Sequence, residues 1–247
     1  MTGIGEYVYN RIKTEAKGRT DAVLKRTILA ERVLPFYTKG EEIFNMVTHI
    51  VGGAVGIAAL TLCVVFAALA GNVFGVVACA IYGATMIVLY TMSSIYHGLK
   101  PDMLAKKVFQ VIDHCSIFLL IAGTYTPIAL CSLREASPWL GWGIFGVVWG
   151  CAALGIVLNA IDLDRYKKFS MICYLAMGWC IIFAIKPTAL ALGLGGMLLL
   201  VGGGVLYTIG AMIYGKAKYV KFTHSVFHIF VVLASILHFL CIFFFVI

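Results

Sequence analysis

Charge is what this 247-residue sequence has least of: Asp, Glu, Lys and Arg together make up 12% of it. A soluble domain carries about 25%. With 62% hydrophobic residues and a mean hydropathy of +1.00, there is too little polar side chain to cover a surface in water, which excludes a soluble enzyme. Disordered and fibrous chains are excluded by the same apolar, aromatic-rich runs. No polar/apolar alternation of the kind a membrane barrel needs is present. The eight cysteines form no Cys-x-x-Cys pair and mostly fall in apolar runs, so there is neither a disulfide framework nor a zinc knuckle; they read as small packing residues. No cleavable signal peptide is visible in the polar, basic first 40 residues. No internal repeat appears either, which disfavours an inverted-repeat transporter.

What is present is a series of continuous apolar runs of about 20 residues, the length a helix needs to cross a 30 Å hydrocarbon core. The fold class expected is all-α, a polytopic bundle of seven transmembrane helices. The spans read roughly as 44–70, 73–96, 109–131, 138–159, 169–186, 189–213 and 222–246. Residues 1–42 form a basic tail and 43–247 the membrane domain. Gly71-Asn72, Arg134 to Pro138 and Lys186-Pro187 separate the spans on one side.

The other side carries the charge. Arg11, Lys13, Lys17, Arg19, Lys25, Arg26, Arg32 and Lys39 lie in the tail, and Lys100, Lys106, Lys107, Arg165, Lys167, Lys168, Lys216, Lys218 and Lys221 follow spans two, four and six. Seventeen cations thus face Arg134 and Lys186 alone, and the positive-inside rule puts the N-terminus in the cytoplasm and the C-terminus outside. The net charge of +8 therefore belongs to membrane-flanking segments and implies no nucleic-acid partner. Val23, Leu24, Ile28 and Leu29 recur at roughly helical spacing, so part of the tail can lie on the membrane. The expected location is the cell (plasma) membrane, with membrane lipids as partners; a homo-oligomer is left open. Gly52-Gly53-Ala-Val-Gly56 and Gly202-Gly203-Gly204 permit close helix contact, and packing within the bundle is the favoured use.

All six histidines lie in or beside apolar spans, where ionisable groups are expensive and are functional candidates. His49, His97, His114, His224 and His228 share one layer with Asp113; only His238 lies deeper, about 15 Å beyond His228. His224-x3-His228 sets two imidazoles one turn apart on a helix face, and Ser93-x3-His97 repeats that spacing. Three imidazoles leave one tetrahedral position open, the arrangement of a catalytic metal, and with no thiolate nearby zinc fits best. Asp113 is placed to take a proton from bound water and Ser93 to orient it. The plainer alternatives are a salt bridge from Asp113 to a loop lysine and a bond from Ser93 back to its own helix. His49, His114 and His238 read as second-shell or packing groups.

At these residues the sequence resembles the bacterial hemolysin III family, of the superfamily that includes the progestin and adiponectin receptors and the alkaline ceramidases. The resemblance rests on Glu41-Glu42-Ile-Phe-Asn45-Met-Val-Thr48-His49, Ser93-Ser94-Ile-Tyr-His97, Asp113-His114, Leu120-Ile-Ala-Gly123-Thr124-Tyr125-Thr126-Pro127, and His224-Ser-Val-Phe-His228 with His238 downstream. It implies seven helices and a zinc site near the cytoplasmic face, with His97, His224 and His228 as ligands and Ser93 and Asp113 beside the bound water. The receptor and ceramidase relatives suggest hydrolysis of a lipid amide, and the function expected is zinc-dependent hydrolysis of a lipid amide or ester. Two other readings stay open: a membrane-homeostasis sensor or receptor whose zinc is structural, and a pore-forming cytolysin.

Overall fold

The computed structural model describes residues 13, 27–215 and 220–247. Regular structure among them is helical, with no strand. The chain divides after Arg32. Before that point a short 3-10 turn, Leu29–Glu31, is described. Val23 and Leu24 of the amphipathic stretch lie outside the described residues, as do the cations Arg11, Lys17, Arg19, Lys25, Arg26, Lys216 and Lys218.

From Val33 onward six long helices follow: α1 Lys39–Leu69, α2 Val73–Gly98, α3 Leu104–Pro127, α4 Pro138–Gly178, α5 Ile185–Tyr214 and α6 Thr223–Phe245. Together they make five segments apolar and long enough to span a bilayer, Pro138–Tyr214 counting as one. α1 packs on α2 and α6, α2 on α3, α3 on α4, and α5 on α6. Large apolar side chains such as Val77, Val147, Leu154 and Leu198 stay exposed along the outer faces, as lipid contact requires and water would not tolerate.

Local chemistry sets the ends. α1 starts at Lys39, inside the stretch read as tail, because Thr38 and Glu41 form a reciprocal capping box. Asn72 caps α2 by accepting from Gly75 N at 2.8 Å. Pro127 ends α3 and the chain passes through a π-helical turn, Ile128–Leu133, the widened geometry that absorbs irregular backbone. Inside α4 the backbone leaves helical values at Asp162 (φ −159°, ψ 96°), whose Oδ1 accepts from Arg165 N at 3.1 Å; this residue closes one helix and caps the next. Near the start of α5, Gly193 (φ +62°, ψ −175°) makes a second break, a conformation only glycine adopts readily.

Two sequence expectations change here. Lys186-Pro187, a divider of spans by sequence, sits in the first turn of α5, where a proline's missing N–H costs nothing; the chain is interrupted just before it by the 3-10 turn Cys180–Ala184 and again at Gly193. Lys106, counted with the loop cations, lies in the first turn of α3 and is 1% exposed.

Small residues allow α1 and α2 to touch. A Cβ on Gly83 would stand 2.6 Å from Leu60 Cα, whereas nothing lies within 4 Å of one on Gly146. Gly83→Ala should therefore lower the thermal midpoint in detergent by the equivalent of about 1–3 kcal/mol, the usual cost of overpacking. Gly146→Ala should leave it unchanged or slightly raised; equal midpoints for both variants would contradict this packing.

Candidate metal centre

The site is built where three helix ends meet. His97 is in the last turn of α2, His224 and His228 open α6, and Glu42, Asn45 and His49 share one face of the first turns of α1. α1 and α6 are tied at their starts by Glu41, whose Oε1 accepts from Phe222 N at 2.7 Å. Phe222 is held there at φ +60°, the left-handed region that costs a residue with a side chain roughly 1 kcal/mol or more.

Three imidazoles converge. His224 Nε2 lies 3.3 Å from His97 Nε2 and 3.0 Å from His228 Nε2, and one ligand nitrogen from each falls within 4.8 Å of the others. Two of the rings are pinned from behind. His97 Nδ1 donates to Glu42 Oε2 at 2.6 Å, and His228 Nδ1 donates to the carbonyl of Asn45 at 3.3 Å. Both acceptors lack a proton to give, so each of these rings keeps its proton on Nδ1 and turns a lone pair inward from Nε2. One proton on His224 Nε2 cannot fully satisfy both neighbours. A cation among the three nitrogens would satisfy them all. Nitrogens about 2.0–2.1 Å from a tetrahedral zinc stand about 3.3 Å apart, and two of the contacts here are of that size. The donor set fits a divalent cation.

Aromatic rings and further polar groups wall the cluster. Tyr37 stacks on His224 with centroids 4.9 Å apart, and Tyr96 tilts against His97 at 4.6 Å. Burial pushes the Tyr37 phenol far above its ordinary range, with Tyr214, Glu42 and Asp113 adding to it; its hydroxyl is a neutral donor at any physiological pH. His49 lies flat on His228, centroids 3.7 Å apart at 11°, and meets Tyr90 edge-on at 5.0 Å. Both its ring nitrogens, the whole Asn45 amide and Ser93 Oγ are buried without a protein partner. An unmet polar atom in such a place is costly.

The expected residues separate accordingly. His97, His224 and His228 come together, with His49 against them. Ser93 is buried one turn from His97 and makes no bond back to its helix; the adjacent Ser94 does, to Tyr90 O at 2.7 Å. Asp113 lies on α3 within electrostatic reach of Tyr37, Tyr96 and Tyr214. Its carboxylate stands 3.8 Å from His114 Nδ1, which also donates to Gln110 O at 2.9 Å. His238 is elsewhere, its Nε2 donating to Leu200 O at 3.0 Å and its ring seated on Gly203. Sequence reasoning passed over Glu42, Asn45 and Lys106. The first two had a signal, since 42, 45 and 49 share a helix face; Lys106 had none. An apolar groove of about 260 Å³ opens on the outer side of the α1–α6 seam, between Phe44, Val47, Thr48, Val51 and Ile229, Val232, Leu233.

Comparison with known proteins now places the chain. The Haemolysin-III related family model matches residues 37–239. The chain belongs to that family. It is 39% identical to Hemolysin-3 of Bacillus cereus over 83% of its own length and 92% of that protein's. It is 37% identical to the Hemolysin-3 homolog of Bacillus subtilis, over 85% and 96%. A distant likeness, 26% over 64% and 66%, extends to the human monocyte to macrophage differentiation factor. The haemolysin-III related chain is thus a multi-pass membrane protein, consistent with the plasma membrane, and its apolar outer faces are compatible with lipid contact.

The seam between α1 and α6 can be probed directly. Glu41→Ala removes a cap and the acceptor for Phe222 N, and should destabilise the detergent-solubilised protein by about 1–2 kcal/mol. Phe222→Gly should stabilise it by up to about 1 kcal/mol through relief of the positive φ. Thermal unfolding reads both, and a destabilising Phe222→Gly would count against a strained turn.

Proposed function

We propose that this protein crosses the membrane seven times with its N-terminus in the cytoplasm, holds one zinc ion between His97, His224 and His228, and hydrolyses an amide or ester bond of a lipid. Support for the crossing number comes from parity. Glu41 contacts Phe222, so α6 starts at the end where α1 starts, and Glu42 contacts Lys106, so α3 starts there too. The segment Pro138–Tyr214 must then cross an odd number of times. A single crossing by 77 residues suits a 30 Å core poorly, since α4 alone, with 41 residues, would measure about 60 Å unbroken. Its interruptions at Asp162, at the 3-10 turn Cys180–Ala184 and at Gly193 leave room for three crossings. The cation count on the two sides supports the orientation.

The observation that carries the metal reading is the inward convergence of three Nε2 atoms, two of them on rings, His97 and His228, that are pinned through Nδ1. When bound, zinc supplies a Lewis acid and brings the pKa of a coordinated water toward about 7. The chain's own groups would do the rest. Asp113 accepts the proton released as water attacks the carbonyl carbon and passes it to the departing amine or alkoxide. Ser93 Oγ and the Asn45 amide, both buried and unpartnered, orient the polar linkage, and Tyr37 donates a neutral hydroxyl. The groove along α1 and α6 gives an acyl chain a place beside the site without leaving the bilayer. A second reading, a sensor with a structural cation, is favoured by the way the cluster joins α2 to α6, far apart in sequence.

Metal analysis of the purified protein tests the site: one zinc per chain is expected in the wild type and less than a tenth of that in His228→Ala. A panel of amide- and ester-linked lipids, assayed with and without chelator, tests the chemistry. Zinc-dependent turnover lost in Asp113→Asn at unchanged metal content supports a hydrolase. Bound zinc with no turnover on any lipid, and a thermal midpoint that falls on chelation, favours the sensor.

A further inference from the structure

Among the groups around the imidazoles, one charged pair is not explained by metal ligation or by lipid binding. Lys106 is 1% exposed in a helix of an apolar chain, where an ammonium is tolerated only if its donors are met. All three of its N–H groups have a partner. Nζ donates to Tyr96 O at 2.9 Å and to Leu99 O at 3.0 Å, the carbonyls at the end of α2, and lies 2.8 Å from Glu42 Oε1. The other oxygen of that carboxylate, Oε2, accepts from His97 Nδ1 at 2.6 Å. One carboxylate of α1 thus bridges an ammonium of α3 and an imidazole of α2. The ammonium also gathers the loose carbonyls of the turn that carries His97.

We infer that Glu42 and Lys106 are positioning residues for the cation site, acting through His97. Glu42 holds the proton of His97 on Nδ1, so that the lone pair of Nε2 faces His224 and His228. Lys106 holds Glu42 in place and fixes the end of α2 from which His97 projects. The inference rests on the metal reading above. Its consequence is that the affinity for zinc is set partly from α1 and α3, which supply no ligand. A carboxylate behind a metal-bound imidazole orients the ring and raises its basicity, and losing such a partner typically weakens metal binding 10- to 100-fold.

The test measures zinc affinity of the full chain in detergent by competition with a chromophoric chelator. The visible spectrum of the cobalt-loaded protein is recorded alongside. Glu42→Gln should bind zinc 10- to 100-fold more weakly than wild type and shift the cobalt bands. Lys106→Met should weaken binding about tenfold by freeing the carboxylate. In the double variant the loss should fall short of the sum of the two single losses, because the lysine acts largely through the glutamate. Lys167→Met, at an exposed pair with Asp164, should leave affinity unchanged. A purely structural role would lower the thermal midpoint of the metal-free protein while leaving affinity and spectrum as in wild type, and that result overturns the inference. So does a Lys106→Met effect that adds in full to Glu42→Gln. If Glu42→Gln does not fold, Lys106→Met against wild type decides by the same two measurements. A wild type that binds no zinc sinks the metal reading itself, and this inference with it, whereas normal wild-type binding with unaffected variants sinks the inference alone.

Discussion

Polar atoms taken out of water must be given partners inside the protein, and one crowded layer of this bundle is arranged around that demand. His49, His97, His224, His228, Asn45, Ser93, Glu42 and Lys106 are brought together at one end of an otherwise apolar structure. Isolated in the bilayer each would be expensive. Together they satisfy much of one another. Glu42 meets both His97 and Lys106, Lys106 meets the end of α2, and the Asn45 carbonyl meets His228. The inward nitrogens, the Asn45 amide and the Ser93 hydroxyl are left without a full set of protein partners.

The rest of the architecture serves that layer. A capping box starts α1 at Lys39 and so brings Glu42, Asn45 and His49 to the site rather than leaving them in a loop. Glu41 locks the start of α6 to it through Phe222. Glycines give the large rings room: Tyr90 presses against Gly52, and from there reaches both His49 and, through its hydroxyl at 2.7 Å, Ser235. Away from this end the interior is filled by Phe118, Ala122, Ile128, Leu133, Val148 and their neighbours. Polar groups within it pair with one another, as Ser170 does by donating to Asn159 Oδ1 at 2.6 Å.

Family membership and geometry support each other without being the same finding. The match over residues 37–239 covers the helices that carry the histidines, and relatives at 37–39% identity fix the kind of protein. The convergence of His97, His224 and His228, and the carboxylate and ammonium behind them, are features of this chain's own side chains.

Composition alone determined the solvent: 12% charge and continuous apolar runs admit a bilayer and nothing else, because the cost of exposing such a chain to water is additive along it. Helical periodicity likewise settled that His224 and His228 share a face, since that relation lies within one turn. The sequence also ordered the polar residues into one layer by their distance from span ends. Only the tertiary structure decided the remainder. That His97 meets two residues more than a hundred positions away depends on how α2 and α6 pack, which local spacing does not encode. Lys106 read as a loop cation because nothing in its neighbours reveals that α1 and the end of α2 close over it. The same holds for Gly193, whose positive φ interrupts α5 beyond Lys186-Pro187. A proline in a first helical turn and a glycine in a helix interior are told apart only once the helix start is fixed, and contacts from other parts of the chain fix it.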